Sequence, residues 1–413
     1  MKSEKFINIL TTIILSLIPL SFLISISFTE FLIALIIFIF LVISFKKKNK
    51  LLKSKEFKLL LIIWIYLLFN WLIFNHQEYS LRSIFFIRYI LLVFAIIFFL
   101  QNNKYLKVIL NIWFLSILFI CFDVWFEFIN GSNIINIKSP DPTRISSFFR
   151  DELVVGTWIY SFVFSVLFYL NENKPKKYLF YSIIIFILLS SIFLSGERSI
   201  FIKTILIAFI LFILFYRKII HSQTSKIFYI IVPIALFIIY SNYNNLGVRY
   251  KGQILDPIKK EGLIKYYKGS LHGAHANAAI KIFINNPAFG VGIKNFRYEC
   301  KKDKYFNAEY KKSLERCSTH PHQVVLETLS ELGLVGFLII YSIIFYIIYE
   351  NFRHFIKKLN LTHGWSILFT TMSLIPLLPT GSFFSNFNSI LFWLNFGIMI
   401  LFKNKSINKY NKI

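Results

Sequence analysis

Solid apolar runs of about seventeen or more residues recur along this chain, each long enough to cross roughly 30 Å of hydrocarbon as a helix. No other feature restricts the fold so severely. Inside lipid every backbone N–H and C=O needs an internal partner, which leaves helices and closed barrels. Barrel strands read as short alternating segments, not unbroken runs. Hydrophobic residues fill 56% of 413 positions and aromatics 19%, a load that the polar surface of a soluble domain does not cover. The expected fold is an all-α polytopic membrane protein with about twelve transmembrane helices. Spans fall at roughly 8–25, 28–45, 58–75, 84–100, 108–128, 153–170, 178–195, 199–216, 227–242, 323–350, 365–380 and 387–402. Residues 1–242 thus hold nine spans and a smaller outer loop at 129–152. A large outer loop, 243–322, precedes the tenth span; 323–402 hold the last three, and 403–413 form a basic tail.

The formal net charge is +26, from 46 Lys and Arg against 20 Asp and Glu. Such a balance fits a nucleic-acid binder until the charges are located. They gather in alternate loops: Lys46-Lys47-Lys48 through Lys58, Lys104 and Lys107, Lys174 to Lys177, Arg217-Lys218, Lys357-Lys358 and the tail from Lys403. The intervening short loops, 26–29, 76–82 and 381–386, carry far less. This is the positive-inside pattern and puts both termini in the cytoplasm. The charge reports topology, so no nucleic-acid partner is expected. The first apolar run lacks a small-residue cleavage site and reads as a retained span.

Three cysteines are present. Cys121 lies in an apolar span and reads as a buried small hydrophobe. Cys300 and Cys317 both fall in the large outer loop, where an oxidising environment favours a disulfide. Closing that loop stabilises by roughly 3 kcal/mol in the chain-entropy picture. A metal site built from these cysteines with His320 and His322 matches no common zinc spacing.

Two of eight histidines stand within three positions in His320-Pro321-His322-Gln323, where the polar loop re-enters an apolar run. Polar groups at a membrane boundary are costly without a partner or a task. Pro321 suits the first position of a helix. His322 would then sit in the first turn, where the positive dipole end depresses its pKa and binds anions. A neutral imidazole beside an anion is a candidate general base for a hydroxyl nucleophile; a helix-start histidine bonding only backbone is the plain alternative. Arg198, in Ser195-Gly196-Glu197-Arg198, lies between two spans with almost no loop. It is placed to hold a phosphate in two-pronged fashion, or else to reach headgroups or pair with Glu197. Arg144, Arg150, Asp151 and Glu152 form a further polar cluster in the smaller loop. Gly333 and Gly336 read as small residues that let helices pack closely. There is no phosphate-cradling Gly-rich loop, no nucleotide-binding βαβ unit and no Ser-centred elbow, which excludes an ATP-driven pump with its own motor.

These residues resemble the O-antigen ligase/polymerase superfamily of bacterial envelope polysaccharide assembly. His322-Gln323 followed by Gly333 and Gly336 is similar to the ligase pattern of His, Asn/Ser/Gln, nine residues, Gly, two residues, Gly. Ser195-Gly196-Glu197-Arg198-Ser199 looks like the family's Gly-x-Arg junction. Asn286-Pro287-Ala288-Phe289-Gly290-Val291-Gly292 is similar to its Pro-x-x-Gly-x-Gly segment. The resemblance implies an inner-membrane transferase of the GT-C class with a periplasmic active site, needing no metal, nucleotide or other cofactor. It would move a glycan from undecaprenyl pyrophosphate to a sugar hydroxyl on lipid A-core, with inversion. It makes His322 the base and Arg198 the pyrophosphate holder, with His320 a neighbour. Many relatives carry a second arginine about fifteen residues before the Pro-x-x-Gly segment, where this chain has His272, with His275 nearby. The phosphate role then falls to His272, Arg249 or Arg297. A polymerase sharing the donor is the alternative, and a flippase or transporter the alternative from another class. Neither paired halves nor interrupted mid-membrane helices speak for transport.

Overall fold

The computed structural model describes residues 2–46, 49–74, 81–173, 178–219, 247–376 and 378–410. All regular structure among them is helical. The helices are α1 (Lys2–Ile24), α2 (Ile26–Lys46), α3 (Lys55–Phe74), α4 (Leu81–Phe85), α5 (Ile87–Leu100), α6 (Asn103–Asn130), α7 (Val155–Asn173), α8 (Tyr178–Leu194) and α9 (Arg198–Ile219), followed by α10 (Asp256–Glu261), α11 (Leu263–Gly269), α12 (Leu271–Asn285), α13 (Val324–Lys357), α14 (Leu361–Leu374) and α15 (Asn386–Tyr410). Seven described helical stretches are long and apolar enough to cross a membrane: Lys5–Ile24, Ile26–Lys46, Lys55–Phe74, Leu81–Leu100, Asn103–Asn130, Arg198–Phe215 and Val324–Lys357. The expected spans at 153–170, 178–195 and 387–402 coincide with α7, α8 and α15. The span expected at 365–380 does not appear at full length. Its helix, α14, ends at Leu374 and measures about 21 Å at 1.5 Å per residue. The span expected at 227–242, most of the loop 76–82, the lysines at 174–177 and the last residues of the tail lie outside the described residues.

The described residues form two compact units, one of residues 1–32, 99–257 and 355–369, the other of 33–98, 258–354 and 370–413. In the first, α6 and α7 pack together beside α1, α8 and α9. Pro19 stands inside α1 and brings no N–H, so the carbonyl of Leu15 loses its helical donor. The indole of Trp113 donates to that carbonyl at 2.8 Å, and Trp158 donates to the carbonyl of Pro19 at 3.2 Å. Both indoles are fully buried, and Trp113 meets Phe162 and Phe164 edge-on at 5.5 and 5.8 Å. Proline in an apolar span is tolerated when neighbours re-satisfy the freed backbone, as here.

The second unit is organised around a break in α13. Gly333 has φ 68° and ψ −173°, so the helix runs from Val324 to Leu332, interrupts, and resumes. The Pro287–Gly292 segment occupies the gap. Leu334 and Val335 donate to the carbonyls of Pro287 and Ala288 at 2.7 and 3.2 Å, while Val291 and Gly292 donate to those of Ser330 and Glu331 at 3.1 and 2.7 Å. The Tyr66 hydroxyl donates to Leu332 O at 2.6 Å. The two glycine motifs are therefore halves of one joint. A Cβ on Gly333 would stand 2.3 Å from Ala288 O, and one on Gly290 2.4 Å from the Glu331 carbonyl carbon. The expectation that Gly333 serves close packing within an unbroken helix is corrected: it breaks the helix, while Gly336 does allow close approach, to Tyr66.

Candidate functional site

In the second unit, α12 begins at a Ser270 cap that accepts from Gly273 N at 3.0 Å. One turn spaces His272 from His275, so both lie on one side of α12. A strap from Ser313 to His322 meets them. Cys300 and Cys317 form the expected disulfide, with Cα atoms 5.5 Å apart. The buried guanidinium of Arg316 locks the strap by donating to the carbonyls of Cys300 (2.8 Å), Ser313 (3.2 Å), Lys301 (3.0 Å) and Lys302 (3.2 Å). The residues next to that lock then hold the imidazoles. Glu315 O accepts from His275 Nε2 at 3.2 Å, Thr319 Oγ1 meets His320 Nδ1 at 3.0 Å, and Ser318 Oγ meets His322 Nε2 at 3.1 Å.

Three rings converge on that of His322. Its ring centroid lies 4.1 Å from that of His320, 5.2 Å from His275 and 5.3 Å from His272. A carbonyl only accepts, so His275 Nε2 carries the proton and Nδ1 is the lone-pair side. That Nδ1 is buried with no hydrogen-bond partner among the described residues. By the same reasoning His320 donates from Nε2 to Thr380 O (3.3 Å) and accepts at Nδ1 from Thr319. Burial, then the neighbouring imidazoles, hold His322 down to about 3. Burial, followed by the positive charge of Lys294, holds His320 down to about 4. His275 is lowered by burial as well. Among the described residues, no group of three or more His, Cys, Asp or Glu side chains is arranged to hold a metal ion.

His322 is not in the first turn of α13. The helix starts at Val324, and Gln323 caps it, its side-chain oxygen accepting from Leu326 N at 2.6 Å. His322 precedes that cap with φ 57°, a left-handed backbone costing a side-chain-bearing residue about 1–3 kcal/mol. The helix-dipole account of its low basicity is therefore replaced by burial and crowding. Arg297, also in this unit, donates to Thr319 O at 3.3 Å.

The arginines Arg144, Arg198 and Arg249 belong to the first unit. Gly196, at φ 70°, turns the chain so tightly that a Cβ there would lie 3.0 Å from Thr143 O and 3.1 Å from Arg144 Cγ. Arg198 opens α9 and donates to Arg249 O at 2.9 Å and to Gln253 Oε1 at 3.3 Å. Arg249 donates to Gly196 O at 3.2 Å and to the same Gln253 oxygen at 3.1 Å. Arg249, Tyr250 and Gln253 ride on one π-helical stretch, Val248–Leu255, a wide turn often seen at functional sites. Arg144 donates to Leu153 O at 2.6 Å. Glu197, expected as a partner for Arg198, instead accepts from Gly156 N, Thr157 N and Thr157 Oγ1 at 2.6, 3.2 and 2.5 Å, capping α7. The guanidiniums of Arg198 and Arg249 thus both reach Gln253 Oε1, beside the backbone carbonyls that they also bond.

The family model described as O-antigen ligase matches residues 183–341. Residues 183–341 are therefore similar to the O-antigen ligase family. The matched stretch contains Arg198, Arg249, the strap and all four clustered histidines, and leaves out Arg144. No curated protein matches the chain. Sequence reasoning overlooked Lys294, Glu327 and Glu331, which meet behind the histidines in this family segment. Glu327 and Glu331 stand in an apolar run, and a carboxylate there is itself a signal of function or partnership.

Proposed function

We propose that this protein, similar over residues 183–341 to the O-antigen ligase family, moves a glycan from undecaprenyl pyrophosphate to a sugar hydroxyl on lipid A-core at the periplasmic face. The observation that carries the reading is the convergence of three imidazoles on His322, in the segment that matches the family. His322 takes the proton of the acceptor hydroxyl as the oxygen attacks the anomeric carbon. Arg198 holds the pyrophosphate and stabilises the charge that develops as it leaves, and Arg249 and Arg144 support it. Attack opposite the leaving group inverts the anomeric configuration.

The depressed basicity of His322 is part of this reading. An imidazole pushed to about 3 is a weak base at neutral pH. The charge interactions acting on it come from other imidazoles, and those on His320 include Lys294 and Arg297. An anionic donor supplies the missing negative charge and raises the proton affinity of the ring, so donor binding arms the base. His272 and Arg297 are the groups of this unit suited to a phosphate oxygen.

The test is transfer in nanodiscs with a lipid-linked glycan donor and two separate acceptors, lipid A-core and a second lipid-linked repeat. Product on lipid A-core supports the ligase reading, whereas elongation of the lipid-linked repeat alone makes the protein a polymerase. His322→Ala is expected to lose about 10²–10⁴-fold in rate, the usual range for a positioned base. Full transfer by that variant removes His322 from the mechanism.

A further inference from the structure

Lys294 is a buried cation that the transfer step does not use. It is 2% exposed and holds a left-handed backbone, φ 64°. Its N–H donates to a Glu331 carboxylate oxygen at 2.8 Å, fixing that backbone from within α13. Its ammonium donates to Ser382 Oγ and lies 3.6 Å from Glu327 Oε1. Ser382 in turn donates to Glu327 Oε1, and Phe383 N donates to Glu327 Oε2 at 2.7 Å. Glu327, Glu331 and Ser382 are all buried. Breaking one member of such a network strands another charge in a dry interior, which is strongly unfavourable.

The network ends on His320 and His322. Two residues before Ser382, Thr380 donates from its N–H to His322 O at 2.8 Å, and its carbonyl accepts from His320 Nε2 at 3.3 Å. Thr380 thus restrains the left-handed backbone of His322 and sets the tautomer of His320. The loop that carries Thr380 is pinned at Ser382 and Phe383 by Lys294 and Glu327. We infer that Lys294, Glu327 and Ser382 form a positioning device which, through Thr380, holds His320 in its Nε2–H tautomer and His322 in its working conformation. This rests on the transferase reading for its kinetic arm and on geometry alone for its spectroscopic arm.

The test compares wild type with Ser382→Ala and with the pair Lys294→Met/Glu327→Gln, which removes both members of the ion pair together. All are prepared full length in nanodiscs with ¹⁵N-labelled histidine. The expected result is a mixed tautomer signal for His320 in both variants. With it comes a kcat lower by about 10–100-fold for the pair and less for Ser382→Ala, with the donor KM within about twofold. A purely structural role would change folding or KM and leave the tautomer alone. An unmixed Nε2–H signal in both variants, with kcat as in wild type, overturns the inference. If wild type itself shows no transfer while the variants mix the tautomer, the positioning device stands and the proposed function fails.

Discussion

At the scale of single residues, two kinds of strain meet in this protein and predict different outcomes. Gly333 occupies a backbone region that is essentially closed to residues with a Cβ, and the added carbon would strike the backbone of Ala288. Gly333→Ala is therefore expected to destabilise by about 3 kcal/mol or more, seen as a fall in the thermal midpoint of the detergent-solubilised protein. Gly336→Ala is expected to cost less, because its Cβ would meet the ring of Tyr66, a side chain able to shift. Equal losses would contradict the joint described for Pro287–Gly292. The histidines predict a pH dependence. His322 and His320 have folded values near 3 and 4, below the ordinary 6.5. Above pH 6.5 both folded and unfolded rings are neutral and nothing is lost. As pH falls through 6.5 the unfolded chain takes up protons that the folded site refuses, so stability declines towards pH 4. The thermal midpoint should drop across that window, and the slope should flatten in His320→Asn/His322→Asn. A slope unchanged in that double variant would show that other groups set it.

At the scale of elements, the strap from Ser313 to His322 and the broken α13 position the histidine cluster. The resemblance to the ligase family groups Gly333, Gly336 and the Pro287–Gly292 segment with His322. It did not show that they interlock, since a helix break filled by a remote turn depends on a pairing across about forty residues that no local pattern encodes. The start of α13 was misplaced for a related reason. Pro321 is well suited to a first helical turn, yet tertiary contacts from Thr380 and Ser318 hold His322 outside it. The strap carries its own prediction. Glu315, Ser318 and Thr319 contact three of the four imidazoles and all lie within two residues of Cys317. Cys300→Ser/Cys317→Ser is expected to lower stability by about 3 kcal/mol. It should also reduce transfer several-fold without loss of membrane insertion, because Arg316 still clamps the strap. A reductant should slow wild type and leave this double variant unchanged; equal slowing of both would detach the effect from the disulfide.

At the scale of the whole molecule, composition was the most legible layer. Unbroken apolar runs point to membrane helices with little ambiguity, and seven described helices meet the length and apolarity needed to cross. Buried carboxylates such as Glu327 were harder to read, because their partners, Lys294 and Ser382, come from distant parts of the chain. Orientation rests on the lysine and arginine pattern and yields a direct test. By the positive-inside rule we propose that the loops of Lys46, Lys104 and Lys107 are cytoplasmic. On that proposed orientation the strap and its histidines face the periplasm, where a Cys300–Cys317 bridge is favoured. Leu314 is 86% exposed on the strap, and Cys121, the free cysteine, is buried. In cells with a permeabilised outer membrane, Leu314→Cys is expected to react with a membrane-impermeant maleimide. Lys107→Cys should react only after the inner membrane is opened. The wild-type background should stay unlabelled, since two cysteines are bridged and the third is inaccessible. Labelling of Lys107→Cys in closed cells, with Leu314→Cys protected, would invert the topology and place the histidine site on the cytoplasmic side, where a lipid-linked donor presented to the periplasm could not reach it.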